Sequence, residues 1–426
     1  MTDFSSGAVI DDDLDFSAAA SGRDRAREAA GARTAAKGRA LDAGIGVAGA
    51  VAVLGLALWA VQLSGGMAQT AMRNLDSWGL YITMFMFAVG LSAGGLIISS
   101  VPKALGIKGF GGISKVAVMT SIACTVAAVG FVVVDLGQPA RLWELFAYSN
   151  LGSPLMWDIL VIGTYLALSC VYLWAQLRAE AGRMSATALR AISVVALVCA
   201  VLVHSVTAWI FGLQQGREMW HTALLAPWFV SSALVCGTAL VMCAAAALRA
   251  AGYLRWEQAN LVRLAKLLGA FVLVDLYFFG CDLLTEAFPA GSGLEVVQML
   301  VSGPLAPFFW TEVAGCAVCA VVCLTPALRT TPLLVVASLL AIAGIFCKRV
   351  QLLVGGFQLA NLDMAGPLTS AQHAAFDSGL AGIYGGLVYW PAPLEAGVAL
   401  GVVALGFLVF FLGLKLLPLE PADQEK

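Results

Sequence analysis

Apolar stretches of about 20 residues recur ten times along the chain, separated by shorter polar segments. An α-helix needs about 20 apolar residues to cross the hydrocarbon of a bilayer, and only elements that close their own backbone hydrogen bonds survive there. The stretches fall at 43–63, 78–101, 115–135, 156–177, 189–212, 226–249, 265–285, 307–324, 332–350 and 394–416. They predict an all-α integral membrane protein of about ten transmembrane helices. Residues 1–40 form a polar leader, expected to be disordered or a surface helix. The first stretch is too long for a signal-peptide core and shows no cleavage site, so it reads as an uncleaved helix.

The basic residues divide sharply. Nineteen of the 24 Lys and Arg fall on one side of the spans, in the leader, the even-numbered loops and the tail. Five (Arg73, Arg141, Arg217, Lys348 and Arg349) fall on the other. The positive-inside rule places both termini in the cytoplasm of a cell whose plasma membrane the chain crosses. The outward segments 136–155, 213–225, 286–306 and 351–393 are long and rich in aromatic, proline and acidic residues, so function is expected on the outer face.

A short internal repeat suggests how the spans group. Pro154-Leu-Met-Trp157-Asp158 opens the fourth span, and Pro307-Phe-Phe-Trp310-Thr311-Glu312 opens the eighth. Both follow an outward loop, four spans apart, as in parallel repeats. The expected domains are a peripheral first helix (41–75), two four-helix bundles (76–212 and 213–350), an extracytoplasmic loop (351–393) and a second peripheral helix with a cytoplasmic tail (394–426).

Composition narrows the function. The chain is 60% hydrophobic and 12% charged, against about 25% charged in soluble domains. A net charge of −2 gives no reason to expect nucleic acid. Glycine is frequent, and pairs such as Gly90/Gly94 and Gly397/Gly401 would let helices approach closely. The ten cysteines lie almost entirely inside apolar runs and read as small packing residues. Cys316, Cys319 and Cys323 share a helical face but lack a fourth ligand, so packing outweighs a metal site. Only His204 of three histidines lies within a span, which excludes two bis-histidine haems and disfavours one.

Ionisable groups at membrane depth are costly and usually functional. His204 lies within the fifth span. Asp275, Asp282 and Glu286 share one face of the seventh. Asp158, Glu312 and Glu395 stand at helix starts, where capping accounts for a carboxylate as well as chemistry does. Such residues, with the Trp and Tyr of the outer loops, suit a quinone head group: its carbonyls need donors, its ring needs apolar walls and its reduction needs proton carriers. Two other readings stay open, a proton- or ion-coupled transporter and a passive anchor.

The outer motifs carry a resemblance. They are Trp78-Gly-Leu-Tyr81, Gly90-Leu-Ser-Ala-Gly94-Gly95, Asp135-Leu-Gly-Gln-Pro139-Ala-Arg141-Leu-Trp143, Ser153-Pro154-Leu-Met-Trp157-Asp158, His204-Ser-Val-Thr-Ala-Trp209-Ile-Phe211, Trp220-His221 through Phe229, and Tyr389-Trp-Pro391-Ala-Pro-Leu-Glu395. Over about residues 75–417 the chain resembles the NrfD/PsrC family of polysulfide reductase-type membrane subunits, in the ten-span branch that includes those of some hydrogenases and of alternative complex III. Gln138 stands where the family usually has a basic residue. The resemblance implies a subunit without a covalently bound cofactor that exchanges electrons between menaquinone or ubiquinone and a four-cluster, ferredoxin-like iron–sulfur subunit on the outer face. It also implies a catalytic subunit, often a molybdopterin enzyme. The expected quinone and proton-exchange residues are His204, Asp135, Arg141, Trp157, Asp158 and His221. The expected proton path comprises Asp275, Asp282, Glu286, Glu312 and Arg349.

Overall fold

The computed structural model describes residues 16–72, 76–107, 111–217, 219–254, 257–288, 292–358 and 389–417. Residues 1–15 of the leader and 359–388 of the expected outer loop lie outside the described residues. Among the described residues the chain is all-helical, and ten helices are long and apolar enough to cross a membrane. The chain divides into two compact units, residues 1–47 and 48–426. The described part of the first unit is helical from Phe16, so the boundary drawn at residue 40 falls within a helix, α1 (Phe16–Gly65).

The long helices of the second unit are α2 (Leu80–Leu105), α3 (Gly111–Asp135), α5 (Pro154–Glu180), α6 (Ala186–Gly212), α7 (Leu225–Ala250), α8 (Gln258–Ala287), α10 (Ala306–Leu324), α11 (Thr331–Val350) and α13 (Pro393–Leu416). Three short ones, α4 (Glu144–Ala147), α9 (Ser292–Val301) and α12 (Gly356–Gln358), lie at the ends carrying few basic residues, here the outer ends. Proline opens α5, α10, α11 and α13, where its missing N–H costs nothing. At the inner end of α2, Gly106 adopts φ +73 and lets Ile107 N–H reach back to Pro102 O at 2.7 Å.

α2, α3, α5 and α6 pack in a ring, and α7, α8, α10 and α11 pack in another. The two meet chiefly where α2 crosses α7, and α13 lies on α3 and α2. At that crossing a Cβ on Gly94 would sit 2.8 Å from Gly237 Cα and against Ala233 O, so only glycine permits the approach. Gly401 faces Gly55 of α1 in the same way. α2 and α7 are accordingly the most enclosed of the spans.

One boundary differs from the sequence reading in a way that matters. The ninth span does not end at Val350: the helix continues through a π-helical turn, Gln351–Gly355, into α12. Lys348 and Arg349, expected at the outer end of the ninth span, are therefore buried well inside a longer helix. The cause lies in their partners, acids and a histidine on neighbouring helices that compensate charges otherwise costly at this depth.

Candidate functional site

Consecutive residues on a helix point about 100° apart, and Lys348 and Arg349 use that divergence. Lys348 enters the ring of α7, α8, α10 and α11. Its Nζ lies 2.7 Å from Asp275 Oδ2 and 3.4 Å from Glu312 Oε1. Ser231 donates to Asp275 Oδ1 at 2.9 Å, and Gln351 Nε2 donates to Glu312 Oε2 at 2.8 Å. The ammonium also sits 4.3 Å from the centroid of the Trp228 ring, a cation–π distance. Asp275 and Glu312 are almost wholly buried, and the lysine holds both.

Arg349 points toward the boundary with the other ring. Its Nη2 reaches His204 Nε2 at 3.1 Å and Ser232 Oγ at 2.5 Å, and its guanidinium stacks 3.8 Å above Phe229. A guanidinium only donates. His204 Nε2 must therefore be the acceptor, which puts the imidazole proton on Nδ1. That nitrogen has no hydrogen-bond partner among the described residues, and neither do Arg349 Nε and Nη1. Buried donors left in this state point to water or a ligand.

A pocket opens beside these groups at the outer end of the same ring. It holds about 540 Å³ of space between atoms, counting its open mouth. Lys348, Arg349, Gln351, Glu312, Asp282 and Glu286 supply its polar wall. Trp228, Phe229, Phe279 and Leu352 supply an apolar one, and Val296 and Leu300 of α9 close it from the outer side. Nearby, Trp78 and Trp220 each meet both Phe211 and Phe357 edge-on, at centroid distances of 5.1–6.3 Å. Trp220 Nε1 donates to Leu352 O at 2.7 Å, fixing the π-helical turn that carries Gln351.

The residues expected at the site fall into separate places. His204, Asp275, Glu312 and Arg349 form the buried cluster, and Asp282 and Glu286 line the pocket with two of them. Asp158 is buried but accepts from Thr207 Oγ1 at 2.6 Å, one turn from His204 on α6. Trp157 donates to Leu151 O at 2.6 Å, as Trp310 does to Val301 O at 3.1 Å, so the repeated Trp pins its preceding outer loop in both rings. His221 is exposed, with Nδ1 3.3 Å from Gly212 O. Arg141 is exposed and engages Glu144 with two bonds of 2.9 and 2.8 Å, which raises its pKa and leaves it apart from Asp135.

Asp135 belongs to another cluster, formed by α1, α2, α3 and α13. Tyr81 OH donates to Gln62 Oε1 at 2.5 Å, and Gln62 Nε2 donates to Val134 O at 3.1 Å. The Glu395 carboxylate accepts from Ala71 N and Leu80 N, each at 3.1 Å, and from Tyr389 OH. Burial pushes the Tyr389 phenol well above its usual range, so it stays a donor. Glu395 thus caps the start of α2 from a distant helix. Cys319 and Cys323 are buried with sulfurs 3.9 Å apart. The sequence pointed to no role for Ser231, Ser232 or Gln351, and it marked Lys348 only as an ionisable group at the end of the ninth span. A serine pair in an apolar run, and a glutamine shortly after two cations, were the available signals.

Comparison with known proteins bears on this arrangement. Residues 68–361 match the family described as "Polysulphide reductase, NrfD". A putative dimethyl sulfoxide reductase membrane subunit from Halobacterium salinarum is 33% identical over 400 residues, covering 89% of this chain and 91% of its own. The menaquinone reductase integral membrane subunit of Nitratidesulfovibrio vulgaris is 25% identical over 390 residues (85% and 88%). A polysulfide reductase chain of Wolinella succinogenes is 22% identical over 313 residues (66% and 95%). The match covers the span-bearing core with both rings, and on that ground the chain belongs to the NrfD family of multi-pass membrane proteins.

Proposed function

We propose that this chain is the quinone-reactive membrane subunit of a respiratory oxidoreductase. It exchanges electrons between the menaquinone or ubiquinone pool and an iron–sulfur subunit docked on the extracytoplasmic face, which serves a catalytic subunit of the molybdopterin type. Support for the class comes from relatives named as menaquinone and dimethyl sulfoxide reductase membrane subunits and as a polysulfide reductase chain. Support for the site comes from one observation above all: Arg349 lines the pocket and carries two buried donors, Nε and Nη1, that no described protein group satisfies.

A quinone, when bound, supplies two carbonyl oxygens that accept hydrogen bonds and take up protons on reduction. Arg349 would donate to one of them, with Phe229 and Trp228 walling the ring. His204, held in its Nδ1–H tautomer by Arg349, is the proton-exchanging group behind it. Glu312, Asp282 and Glu286 line the route from the pocket to its mouth, and Asp275 fixes Lys348. Asp158 of α5, holding Thr207, stands one turn beyond His204 along α6. Arg141, Trp157 and His221 belong to the outer rim, where a partner subunit would sit, and Asp135 stands behind it in the cluster of Tyr81 and Glu395.

The test is Arg349→Gln in the assembled complex. Quinol-linked turnover should fall by roughly 100-fold or more, while electron transfer from the catalytic subunit to a soluble dye persists. Unchanged quinol-linked turnover would refute the site.

A further inference from the structure

A para-quinone carries its two carbonyl oxygens on opposite edges of the ring, so one guanidinium cannot serve both. A second donor has to come from the pocket wall, and it has to be uncommitted. Five buried side-chain nitrogens lack a hydrogen-bond partner among the described residues: Trp59 Nε1, His204 Nδ1, Trp228 Nε1, and Nε and Nη1 of Arg349. Three of the five belong to residues that line the pocket, Arg349 and Trp228. Trp228 therefore stands beside Arg349 as a second pocket residue with a buried, unused N–H.

The indole is held firmly. Trp228 and Phe229 are consecutive on α7, as Lys348 and Arg349 are on α11, and the two pairs meet in register. Lys348 Nζ lies 4.3 Å from the Trp228 centroid, and the Arg349 guanidinium lies 3.8 Å from that of Phe229. Trp228 also stacks with Phe279, with centroids 5.5 Å and planes 23° apart, and Phe279 meets Phe309 at 5.3 Å. These contacts use the π system and fix the plane of the ring, and none of them uses the N–H. An indole N–H only donates, and a buried tryptophan ordinarily finds an acceptor for it. Glu312, the buried carboxylate of the pocket, does not serve, because Lys348 and Gln351 engage it instead.

We infer that Trp228 Nε1 is the second donor of the site, holding the quinone carbonyl opposite the one that Arg349 holds. The inference rests on the quinone site proposed at Arg349. Tryptophan and arginine both donate without giving up a proton, so the pair fixes the orientation of the ring and leaves proton transfer to other groups. The pair also selects its ligand. A flat ring with two acceptor oxygens satisfies both residues, whereas one with a single carbonyl fills the pocket and leaves a buried donor unpaired, which costs affinity.

The experiment uses the whole complex, with this chain at full length, in lipid nanodiscs. Calorimetry measures the binding of two probes, menadione with two carbonyls and α-tetralone with one. Trp228→Phe keeps an aromatic ring against Phe279 and Lys348 and removes the N–H. It should weaken menadione roughly tenfold and leave α-tetralone, which Arg349 alone can hold, unaltered. The thermal midpoint without quinone should not fall, because the N–H removed had no protein partner, while the rise that menadione gives should shrink. Equal weakening of both probes would mean that the indole acts by packing alone, and would overturn the proposal. So would a lowered midpoint without quinone combined with unchanged menadione affinity. If Arg349→Gln loses menadione and Trp228→Phe keeps it, the second donor falls and the site at Arg349 stands. If Trp228→Phe shows the selective loss and Arg349→Gln binds as before, the Trp228 contact stands and the role of Arg349 falls.

Discussion

Lys348→Met removes one cation that holds two buried carboxylates. At an effective dielectric constant of about 20, contacts at 2.7 and 3.4 Å correspond to roughly 6 and 5 kcal/mol of attraction. Desolvation of the three charges offsets most of that in the intact triad. Removal of the lysine leaves the desolvation in place and cancels the attraction. Methionine fills much the same volume, so packing changes little. Breaking a buried pair this way costs about 3–5 kcal/mol. Asp275 and Glu312 would also face each other uncompensated, which sets the expectation at the upper end. Unfolding of the purified chain in lipid nanodiscs, followed by tryptophan fluorescence in a denaturant series, measures the loss. The double variant Lys348→Met/Asp275→Asn should recover more than half of it, because a neutral amide still accepts from Ser231. A Lys348→Met chain as stable as the parent, or a double variant no better than the single one, would refute the view that this lysine compensates the pair.

Three further outcomes are expected. Gly94→Ala forces α2 away from Gly237 and Ala233, whose backbone cannot yield, and should destabilise the chain by about 1–3 kcal/mol; an unchanged thermal midpoint would contradict the close crossing. Glu395→Gln replaces a charged acceptor shared by three backbone N–H groups (Ala71, Leu80 and Ala392) and the Tyr389 hydroxyl, and should cost about 1–3 kcal/mol in the same assay. Gly356→Ala puts a methyl group into the Trp220 indole, so the Trp220–Leu352 bond should break; a shift in tryptophan emission with a fall in quinol-linked turnover would register it, and unaltered emission would count against the π-helical turn being held there.

The ten spans are legible in the sequence because length and apolarity decide membrane insertion without help from tertiary context. His204, Asp275 and Glu312 are legible for a related reason: an ionisable group in an apolar run needs an explanation wherever it sits. Lys348 and Arg349 mislead because two adjacent cations near the end of an apolar run look like its outer flank. Their partners, Asp275 and His204, are 73 and 145 residues away, and nothing local announces them. With those two counted as interior, the sequence leaves the less basic side of the spans Arg73, Arg141 and Arg217, so the charge asymmetry is sharper than the first count suggests. Asp135 and Arg141 look like partners because they are six residues apart, yet a short turn gives Arg141 to Glu144 and the chain fold brings Asp135 toward Glu395.

Lys348 and Arg349 share one turn of backbone while gripping groups in different halves of the protein. That turn works as a yoke. A helix segment this stiff cannot rotate to relax the lysine's hold on Asp275 without swinging the guanidinium off His204, and the reverse holds equally. An event that alters charge at either grip is therefore felt mechanically at the other, with no moving domain and no long relay of side chains in between.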